Sequence, residues 1–390
     1  MSTYHALLVT VFMVASFLIV YHHVGYPLLL KLIAKRTTKQ KTMVTVRHFQ
    51  DTALDTKRPS ITIIVPAFNE EEWIADKIRN IASLDYPNKK LSVKIICDGC
   101  SDNTANIAIA TIQEAICADT LFEIVEHKQN RGKVAIINEA MESIQSDLTV
   151  LSDVTSLVSI DALLIAESHF ENEQVGVVNG TYSLFDSGSE GEEKYWQYQS
   201  SIKSAEANLA TSIGSHGAFY VFRSHLFQPL ASNSINDDFI LPMRIVEKGY
   251  LADYDTNVIA TEMQPTQLSD DFSRRLRISA GNMQQAITLI GLFHPKFKTI
   301  AFAFFSGKGL RLLMPYLMFA TLVSSALLQQ YVIFQIAFYL QLAIYASSLV
   351  CWICPPLLSF KPLGLIHYIL LGHTANLIGG LRYLVIKNSH

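Results

Sequence analysis

Residues 60–70 read SITIIVPAFNE, and this stretch decides the fold. Its first part, SITIIV, is a short run of apolar and β-branched residues that ends at Pro66. Such a run is typical of a strand that is buried on both faces of a parallel sheet. Polar residues follow at once, beginning with Asn69 and Glu70. The stretch therefore predicts a central strand whose carboxyl end opens into a polar loop.

Strand and helix patterns alternate from this stretch onward. Further strands are predicted over 92–97, 122–126 and 148–152, and helices over 70–83, 103–118 and 133–143. Alternation of this kind predicts an α/β domain with a mostly parallel sheet that is covered by helices. Ligands of such sheets bind beyond the carboxyl ends of the strands, so functional side chains are expected there.

Polar residues stand where the predicted strands end. Asn69 and Glu70 follow the first strand, Asp98 follows the second, and Asp153 ends the fourth. Asn and Asp also cap helices and start turns, so each of them alone has a purely structural explanation. Their recurrence at several strand ends of one sheet favours a ligand site.

The two ends of the chain differ in composition from its middle. Of 390 residues, 50% are hydrophobic, and the net charge of −3 gives no indication of nucleic-acid binding. Because a spanning helix needs about 20 apolar residues, we predict one N-terminal span and about three C-terminal spans. They lie within 6–32, 312–329, 331–358 and 363–385. The predicted domains are an N-terminal membrane anchor with a basic linker (1–56), the α/β domain (57–289), and an interfacial segment with the C-terminal transmembrane helices (290–390).

Positive charge after the first span predicts the orientation. The lysines and arginines that follow it are Lys31, Lys35, Arg36, Lys39 and Lys41, whereas residues 1–5 carry none. The positive-inside rule then places the α/β domain in the cytosol, and a bacterial cytoplasmic membrane is the expected location. A secretory signal peptide is disfavoured, since the segment lacks a basic start and a small-residue cleavage site. Residues 287–311 mix phenylalanines with lysines and indicate either an interfacial helix or an ordinary linker.

Seven short motifs stand in a fixed order along the middle of the chain. They are IVPAFNEE (64–71), DGCSDNT (98–104), NRGK (130–133), LSDVT (151–155), GAFYVFR (217–223), NDD with the following Leu241, Arg244 and Gly249-Tyr250 (236–250), and RRLRI with Gly281-Asn282 (274–282). In this order the motifs resemble those of glycosyltransferase family 2, whose members have the GT-A nucleotide-sugar-binding fold. The resemblance covers roughly residues 58–285.

The resemblance implies roles for individual residues. It implies a nucleotide-sugar donor held by Pro66, Ala67, Asn69, Glu70, Asp98, Lys133, Asp153, Arg275 and Arg277. It implies an acceptor side at His216 and Gly217, and a divalent metal, Mg²⁺ or Mn²⁺, at Asp153 and Thr155. Leaving-group charge on a diphosphate is stabilised by such a cation and by basic side chains. Asp238, next to Asp237, is the predicted general base for an acceptor hydroxyl in an inverting transfer.

Each of these assignments has a structural alternative. Asp237 and Asp238 fit the acidic first turn of a helix, and a capping role is compatible with that of a base. His216 has an alternative as a loop histidine with no catalytic task. The arginines of 274–277 fit a solvated or lipid-headgroup-facing stripe as well as a phosphate site.

Two departures from the family pattern bear on mechanism and product. Thr155 stands where the family's D-x-D has its second aspartate, which removes one metal carboxylate. The processive Q-x-x-R-W motif is replaced by Arg274-Arg275-Leu276-Arg277-Ile278. We therefore expect transfer of a sugar to a lipid-linked or membrane-proximal glycan acceptor. Partner proteins of a polysaccharide assembly system are expected as well. A processive polysaccharide synthase is the alternative, and a non-catalytic sugar-nucleotide-binding subunit is the third hypothesis.

Overall fold

The computed structural model describes residues 3–35, 55–186, 190–265 and 271–387. They form two compact units. The α/β unit comprises Ile33–Gln267, and the helical unit comprises Met1–Leu32 together with Leu268–His390. The boundary predicted at 289 placed 268–289 with the α/β domain, whereas these residues group with the apolar helices. The predicted basic linker lies largely outside the described residues, since 36–54 are not among them.

One sheet organises the α/β unit in the part of the chain that the structure describes. Its strands are β1 (Ile61–Ala67), β2 (Leu91–Asp98), β3 (Leu121–His127), β4 (Leu148–Leu151), β5 (Ser156–Val158), β6 (Val175–Leu184), β7 (Tyr220–Arg223) and β8 (Leu251–Glu262). Their order in the sheet is β3-β2-β1-β4-β7-β6-β8-β5.

The half of the sheet around β1 is parallel, as the sequence predicts. β1 pairs with β2 on one side and with β4 on the other, and Ile61 lies opposite both Leu91 and Leu148. β3 continues this half beside β2. The carboxyl ends of these four strands therefore lie along one edge, which is where the polar residues were predicted to gather. The predicted mostly parallel sheet is confirmed.

The other half of the sheet is mixed and was not predicted. β7 runs antiparallel to β4 and β6, β5 runs antiparallel to β8, and β6 and β8 are parallel to each other. β5 has 3 residues and β7 has 4. Strands of that length are too short to give a periodic signal in the sequence.

Helices pack on the sheet and close its apolar core. The first two helices of the chain belong to the helical unit. The helices of the α/β unit are therefore numbered α3 (Ile74–Ala82), α4 (Thr104–Thr111), α5 (Lys133–Ser143), α6 (Ala162–His169), α7 (Glu190–Leu209) and α8 (Asp237–Glu247). The core joins Ile63, Ile95 and Val150 of the strands to Ile74 and Ile78 of α3, each at most 1% exposed. Burial of one such side chain contributes about 1.5–3 kcal/mol.

A buried histidine joins α6 to β8 and makes stability depend on pH. His169 Nδ1 and Nε2 lie 2.9 Å from Oδ2 of Asp253 and of Asp255, respectively. Burial alone would lower the pKa of His169, but hydrogen bonds to the two carboxylates raise it to about 9 from 6.5. The stabilisation is therefore complete below pH 6.5 and is lost as the pH rises through about 9.

We expect the free energy of unfolding to fall by roughly 2 kcal/mol between these limits, because both charge-assisted hydrogen bonds weaken. Denaturant unfolding of the full chain in detergent, followed by tryptophan fluorescence at several pH values, measures this change. His169→Gln keeps a hydrogen-bonding side chain without the titration and should flatten the profile. An unchanged slope in that variant would contradict the assignment.

The helical unit consists of helices of 6 to 27 residues, most of which are apolar. They are α1 (Thr3–Val20), α2 (Tyr26–Ala34), α9 (Asp271–Thr288), α10 (Thr299–Phe304), α11 (Leu310–Leu327), α12 (Val332–Ile353) and α13 (Lys361–Lys387). A π-helical turn, Tyr21–Gly25, joins α1 to α2, and a second one, Phe305–Gly309, joins α10 to α11.

Three helices among the described residues are long and apolar enough to cross a membrane: Thr3–Ala34, Thr299–Leu327 and Val332–Ile353. The prediction of about three C-terminal spans is corrected to two such candidates. The third predicted span, 363–385, does form a helix, α13, but His367, His373 and Arg382 lower its hydropathy.

The helix of the second candidate span also begins before the predicted start of that span. Residues 299–311, which the sequence assigned to an interfacial segment or linker, belong to the helix Thr299–Leu327. The helix therefore begins before Leu312, and the predicted start of the span at Leu312 stays a prediction.

Candidate active site

The loops after β1 and β2 are tied together by side chains of the predicted donor site. Asn69 has a positive φ of 54°, and its Oδ1 accepts hydrogen bonds from the backbone N–H of Ser101 at 2.8 Å and from Ser101 Oγ at 3.2 Å. The backbone N–H of Glu70 donates to Thr104 Oγ1 at 2.7 Å. Pro66 and Ala67 form the end of β1 beside these loops. Four predicted donor-site residues are thus neighbours at one edge of the sheet.

Asp98 holds the loop that leads to Lys133. Its carboxylate accepts hydrogen bonds from the backbone N–H of Arg131 at 2.9 Å and of Gly132 at 2.8 Å. Gly99 allows this close approach, because a Cβ there would lie 2.2 Å from the backbone nitrogen of Asn130. α5 begins directly afterwards at Lys133, as predicted. The observed contacts of Asp98 are with this loop, and its predicted contact with the donor stays a prediction.

Lys133 lies between two carboxylates, one in the loop after β4 and one at the start of α8. Its Nζ donates to Asp153 Oδ1 at 2.7 Å and lies 3.7 Å from Asp237 Oδ2. The Lys133 and Asp153 side chains are 35% and 36% exposed, whereas that of Asp237 is 10% exposed. The Lys133 ammonium is therefore accessible to a ligand while it remains paired.

Gly217 connects Asp153, the partner of Lys133, to Asp238. Its carbonyl accepts from the backbone N–H of Asp153 at 3.1 Å, and its own N–H donates to Asp238 Oδ2 at 3.1 Å. A Cβ at this position would lie 2.6 Å from Asp153 Oδ2 and 3.4 Å from Lys133 Nζ. Only glycine fits here without displacing the ion pair. Lys133, Asp153, Gly217, Asp237 and Asp238 thus form one network, here called the carboxylate–lysine network.

The network shifts the pKa values of its members in different directions. Burial alone would lower the pKa of Lys133, but the carboxylates of Asp153 and Asp237 raise it. Burial alone would raise the pKa of Asp153, but the Lys133 ammonium lowers it. Burial raises the pKa of Asp237, and Asp238 adds to this effect. Asp153 is therefore held ionised, and Asp237 has the greater tendency to keep a proton.

Glu70 is a second carboxyl group with an altered proton affinity. Burial, followed by the negative charges of Asp153 and Glu262, raises its pKa to about 7 from 4.5. Glu70 is half-buried. This carboxyl group can therefore hold or release a proton near neutral pH beside the donor loops.

Sequence reasoning missed Lys77, which lies below the loop that carries Asp153. Lys77 Nζ is fully buried and donates to Ser152 Oγ at 2.6 Å and to the carbonyl oxygen of Ser156 at 2.5 Å. Ser152 Oγ in turn donates to the carbonyl of Ala218 at 2.6 Å. Lys77 thus fixes both ends of the segment around Asp153. One feature of the sequence could have indicated that Lys77 is buried, because it lies on the apolar face of α3, between Ile74 and Ile81.

We expect Lys77→Met to lower the turnover number by about 10–100-fold, because a loop displacement of about 1 Å costs on that order. Burial lowers the pKa of Lys77 to about 7, so removing this ammonium relieves a desolvation cost. The thermal unfolding midpoint should therefore stay constant or rise. Lys94→Met, which removes a lysine from the partly exposed face of β2, is the control and should leave turnover unchanged. Equal turnover in both variants would exclude a positioning role for Lys77.

His216 lies in an aromatic cluster next to the network. Its ring stacks on Tyr182 with 3.9 Å between centroids and meets Trp196 of α7 edge to face at 5.3 Å. His216 Nδ1 accepts a hydrogen bond from the backbone N–H of Ala218 at 3.1 Å. A cavity beside these rings is further lined by Gln199, Ser200, Lys203 and Tyr254. Sequence reasoning missed Tyr182 and Trp196, whose spacing from His216 gives no signal.

The predicted metal ligands are one carboxylate and one hydroxyl. Asp153 belongs to the network, and Thr155 is buried, with its carbonyl accepting from the backbone N–H of Met263 at 2.9 Å. No group of three or more His, Cys, Asp or Glu side chains in the described ranges could hold a metal ion. Mg²⁺ commonly uses one or two carboxylates together with substrate phosphates. Asp153 fits that mode of binding, in which the donor completes the coordination.

The two predicted diphosphate-binding arginines belong to the helical unit. Arg275 and Arg277 lie on α9, and the guanidinium of Arg275 lies 4.3 Å from the ring centroid of Tyr368 on α13. Arg277 is exposed. Their binding to a donor diphosphate stays a prediction.

Comparison with known proteins identifies the family. The family described as glycosyltransferase-like family 2 matches residues 59–281. This match covers more than half of the chain and all of the strands described above. The chain belongs to glycosyltransferase-like family 2. The predicted class of enzyme, a glycosyltransferase, is confirmed at the level of this family.

Relatives of this glycosyltransferase include bacterial polysaccharide synthases. The chain is 26% identical over 229 residues to a poly-β-1,6-N-acetyl-D-glucosamine synthase of Staphylococcus aureus, covering 57% of this chain and 54% of that protein. It is 24% identical over 247 residues to the synthase of the same name from Staphylococcus epidermidis, covering 61% and 58%. The chain thus spans little more than half the length of these relatives.

A solved structure confirms the fold. The mannosyltransferase PcManGT of Pyrobaculum calidifontis, determined in complex with GDP-Man and Mn²⁺, superposes with a TM-score of 0.71 at 22% sequence identity. The match covers 95% of this chain and 99% of that one. The predicted GT-A fold is therefore confirmed.

Proposed function

We propose that this glycosyltransferase moves a sugar from a nucleotide-sugar donor, a uridine diphosphate sugar, to a lipid-linked or membrane-proximal glycan acceptor, with inversion at the anomeric carbon. The carboxylate–lysine network is the observation that carries the proposal. It joins a cation for the leaving diphosphate, Lys133, to a carboxylate for the acceptor hydroxyl, Asp238, through Gly217. A single transfer step needs both groups within one site.

Lys133 is the group that would bind the leaving diphosphate. Its ammonium is held charged by Asp153 and Asp237 and is partly exposed. When a diphosphate enters, its oxygens replace part of this pairing, and the charge that develops on the leaving oxygen is stabilised. Asp153 and Thr155 would hold a divalent cation, which neutralises diphosphate charge when bound. Arg275 and Arg277 are proposed as further phosphate ligands.

Asp238 is the proposed general base. It is half-buried, whereas Asp237 is buried, and this burial raises the pKa of Asp237 above that of an ordinary aspartate. In the reaction, the acceptor hydroxyl proton moves to the Asp238 carboxylate while the hydroxyl oxygen bonds to the anomeric carbon. The bond from that carbon to the diphosphate breaks, and its electron pair leaves with the nucleoside diphosphate. The N–H of Gly217 orients the base through Oδ2.

The aromatic cluster of Tyr182, Trp196 and His216 is the proposed acceptor side. Aromatic faces bind the apolar faces of sugars, and the cavity beside them offers Gln199 and Lys203 as polar contacts. His216 and Gly217 are adjacent, so this cluster continues directly into the network. Trp196 also supplies an aromatic surface, although the chain lacks the Q-x-x-R-W tryptophan.

The relatives favour a second candidate, a processive polysaccharide synthase. Both Staphylococcus proteins are named as synthases of an N-acetylglucosamine polymer. We propose limited transfer in the assembly of a cell-surface polysaccharide, together with partner proteins of that system, because the processive motif is replaced. The candidate spans and the basic residues beside them support an integral protein of a bacterial cytoplasmic membrane with its α/β unit in the cytosol.

Product size separates the two candidates. Membranes that contain the chain are incubated with UDP-N-acetylglucosamine, UDP-glucose or GDP-mannose, each labelled in the sugar, and the products are resolved by size. Limited transfer predicts label in one short, organic-extractable species. Label in a polymer that lengthens with time would establish the synthase instead.

A further inference from the structure

The helical unit contains a polar cluster that the proposed transfer reaction does not use. Tyr21 OH lies 2.9 Å from Ser306 Oγ, and His22 Nδ1 lies 2.9 Å from the carbonyl oxygen of Ser306. These contacts join the two π-helical turns, Tyr21–Gly25 and Phe305–Gly309. Single π-helical turns inside α-helices occur frequently at functional sites. Here two of them face each other.

α13 completes the cluster. His373 Nε2 lies 3.2 Å from His23 Nε2, and Asn376, one turn further along, donates from Nδ2 to the carbonyl oxygen of Arg311 at 2.7 Å. His373 and Asn376 are 8% and 4% exposed. Asn376 Oδ1 is buried and accepts no hydrogen bond from any residue that the structure describes. The cluster therefore has unused hydrogen-bonding capacity inside an apolar unit.

Arg311 is the charged residue of the cluster. Its carbonyl oxygen accepts the hydrogen bond from Asn376, and it lies two residues after the π-helical turn that contains Ser306. No carboxylate forms an ion pair with Arg311 in the ranges 3–35, 55–186, 190–265 and 271–387. The acidic residues of the helical unit are Asp270 and Asp271 at the start of its second segment, and residues 1–50 and 272–390 contain no Asp or Glu.

Arg311 is half-buried, and a guanidinium without an ion-pair partner among apolar helices is costly and usually marks a functional site. An anionic ligand would compensate this charge. His23 is exposed at the surface of the helices and contacts the buried His373. The cluster also lies in the half of Thr3–Ala34 that carries Lys31, where lipid phosphates are expected.

We propose that His22, His23, Arg311, His373 and Asn376 form a binding site for a lipid-borne phosphate. Arg311 supplies the charge and the guanidinium fork that suits phosphate oxygens. The imidazoles donate N–H groups, and Asn376 Oδ1 accepts from a protonated phosphate oxygen or a nearby hydroxyl. The phosphate belongs either to a lipid-linked acceptor or to a membrane phospholipid, and both present a negatively charged phosphate group to the site.

Binding is tested on the full chain in zwitterionic nanodiscs, without any nucleotide sugar. The probes are a polyprenyl monophosphate, the polyprenol of the same length, and phosphatidylglycerol, each counted by native mass spectrometry. We expect the monophosphate to bind at least about tenfold more tightly than the polyprenol, since one charge-assisted contact is worth about that factor. Tighter binding of the monophosphate than of phosphatidylglycerol assigns the site to an acceptor, and equal binding assigns it to a phospholipid. Both results support a lipid-borne phosphate.

Substitutions test whether monophosphate binding depends on the residues of the cluster. Arg311→Gln and His373→Gln should each weaken monophosphate binding by about tenfold, whereas Arg311→Lys keeps the charge and should retain most of it. Arg382→Gln, an exposed arginine on the same helix as His373, is the matched control and should bind as the parent chain does. Equal affinity for polyprenol and monophosphate, or full binding by Arg311→Gln, would overturn the proposal. A failure of sugar transfer would leave this result intact, because no donor is present.

Discussion

Asp238→Asn should lower the rate of sugar transfer by about 10²–10⁴-fold, which is the usual contribution of a positioned general base. The amide keeps the size of the side chain, and its oxygen can still accept the hydrogen bond from the N–H of Gly217. It cannot take up the proton of the acceptor hydroxyl. Donor affinity should therefore remain within about twofold, since Asp238 is placed on the acceptor side of the network.

The measurement is initial-rate transfer of labelled sugar in membranes, together with donor affinity by calorimetry. Asp161→Asn is the matched control, because Asp161 is an exposed aspartate at the start of α6, much as Asp238 stands at the start of α8. It should transfer sugar at the parent rate. If Asp238→Asn retained more than about a tenth of the parent rate, the base would have to be another group.

Asp153→Asn should weaken donor binding at least about tenfold and lower turnover by about 10²–10³-fold, comparable to the loss of one charge-stabilising group. The change removes the carboxylate that accepts from Lys133 Nζ at 2.7 Å and that would bind a divalent cation. Lys133 is then left with Asp237 as its nearest carboxylate, at 3.7 Å. The ammonium is drawn away from the side where the diphosphate is expected.

Asp153 is proposed both to pair with Lys133 and to bind a divalent cation. Titration of the donor into purified protein, with and without Mn²⁺, separates these two roles. If Asp153 holds the cation, the parent chain gains affinity on addition of Mn²⁺ and Asp153→Asn does not. Asp119→Asn, an exposed aspartate before β3, should behave as the parent does in both conditions. Unchanged donor affinity in Asp153→Asn under both conditions would remove Asp153 from the donor site.

The sequence predicts the parallel half of the sheet well, and there are physical reasons for that success. β1 and β4 are buried and mostly apolar, β2 and β3 mix apolar with polar residues, and α5 begins at Lys133 and ends at Ser143, as its periodicity indicates. β5 and β7 are too short for such a signal, and their pairing is decided by contacts between distant segments. The early start of the helix Thr299–Leu327 was not predicted, because the lysines and phenylalanines of 299–311 are typical of an interfacial helix as well.

The candidate site was predicted in part. Lys133, Asp153, Gly217, Asp237 and Asp238 come from four separate segments, and the structure brings them into one network, while their chemical roles stay predictions. Lys77 and the aromatic cluster could not be assigned from sequence, because burial beneath a loop and ring stacking depend on the tertiary fold. The two π-helical turns likewise leave no pattern in the sequence.

The central claim is that the carboxylate–lysine network transfers sugar from a nucleotide donor. Its most direct test compares membranes containing the parent chain with membranes containing Asp238→Asn, each incubated with the panel of labelled nucleotide sugars. The account predicts that at least one donor labels a glycan or lipid-linked product with the parent chain and that Asp238→Asn loses nearly all of this label. Donor binding without transfer by the parent chain for every nucleotide sugar would contradict it and favour a non-catalytic sugar-nucleotide-binding subunit.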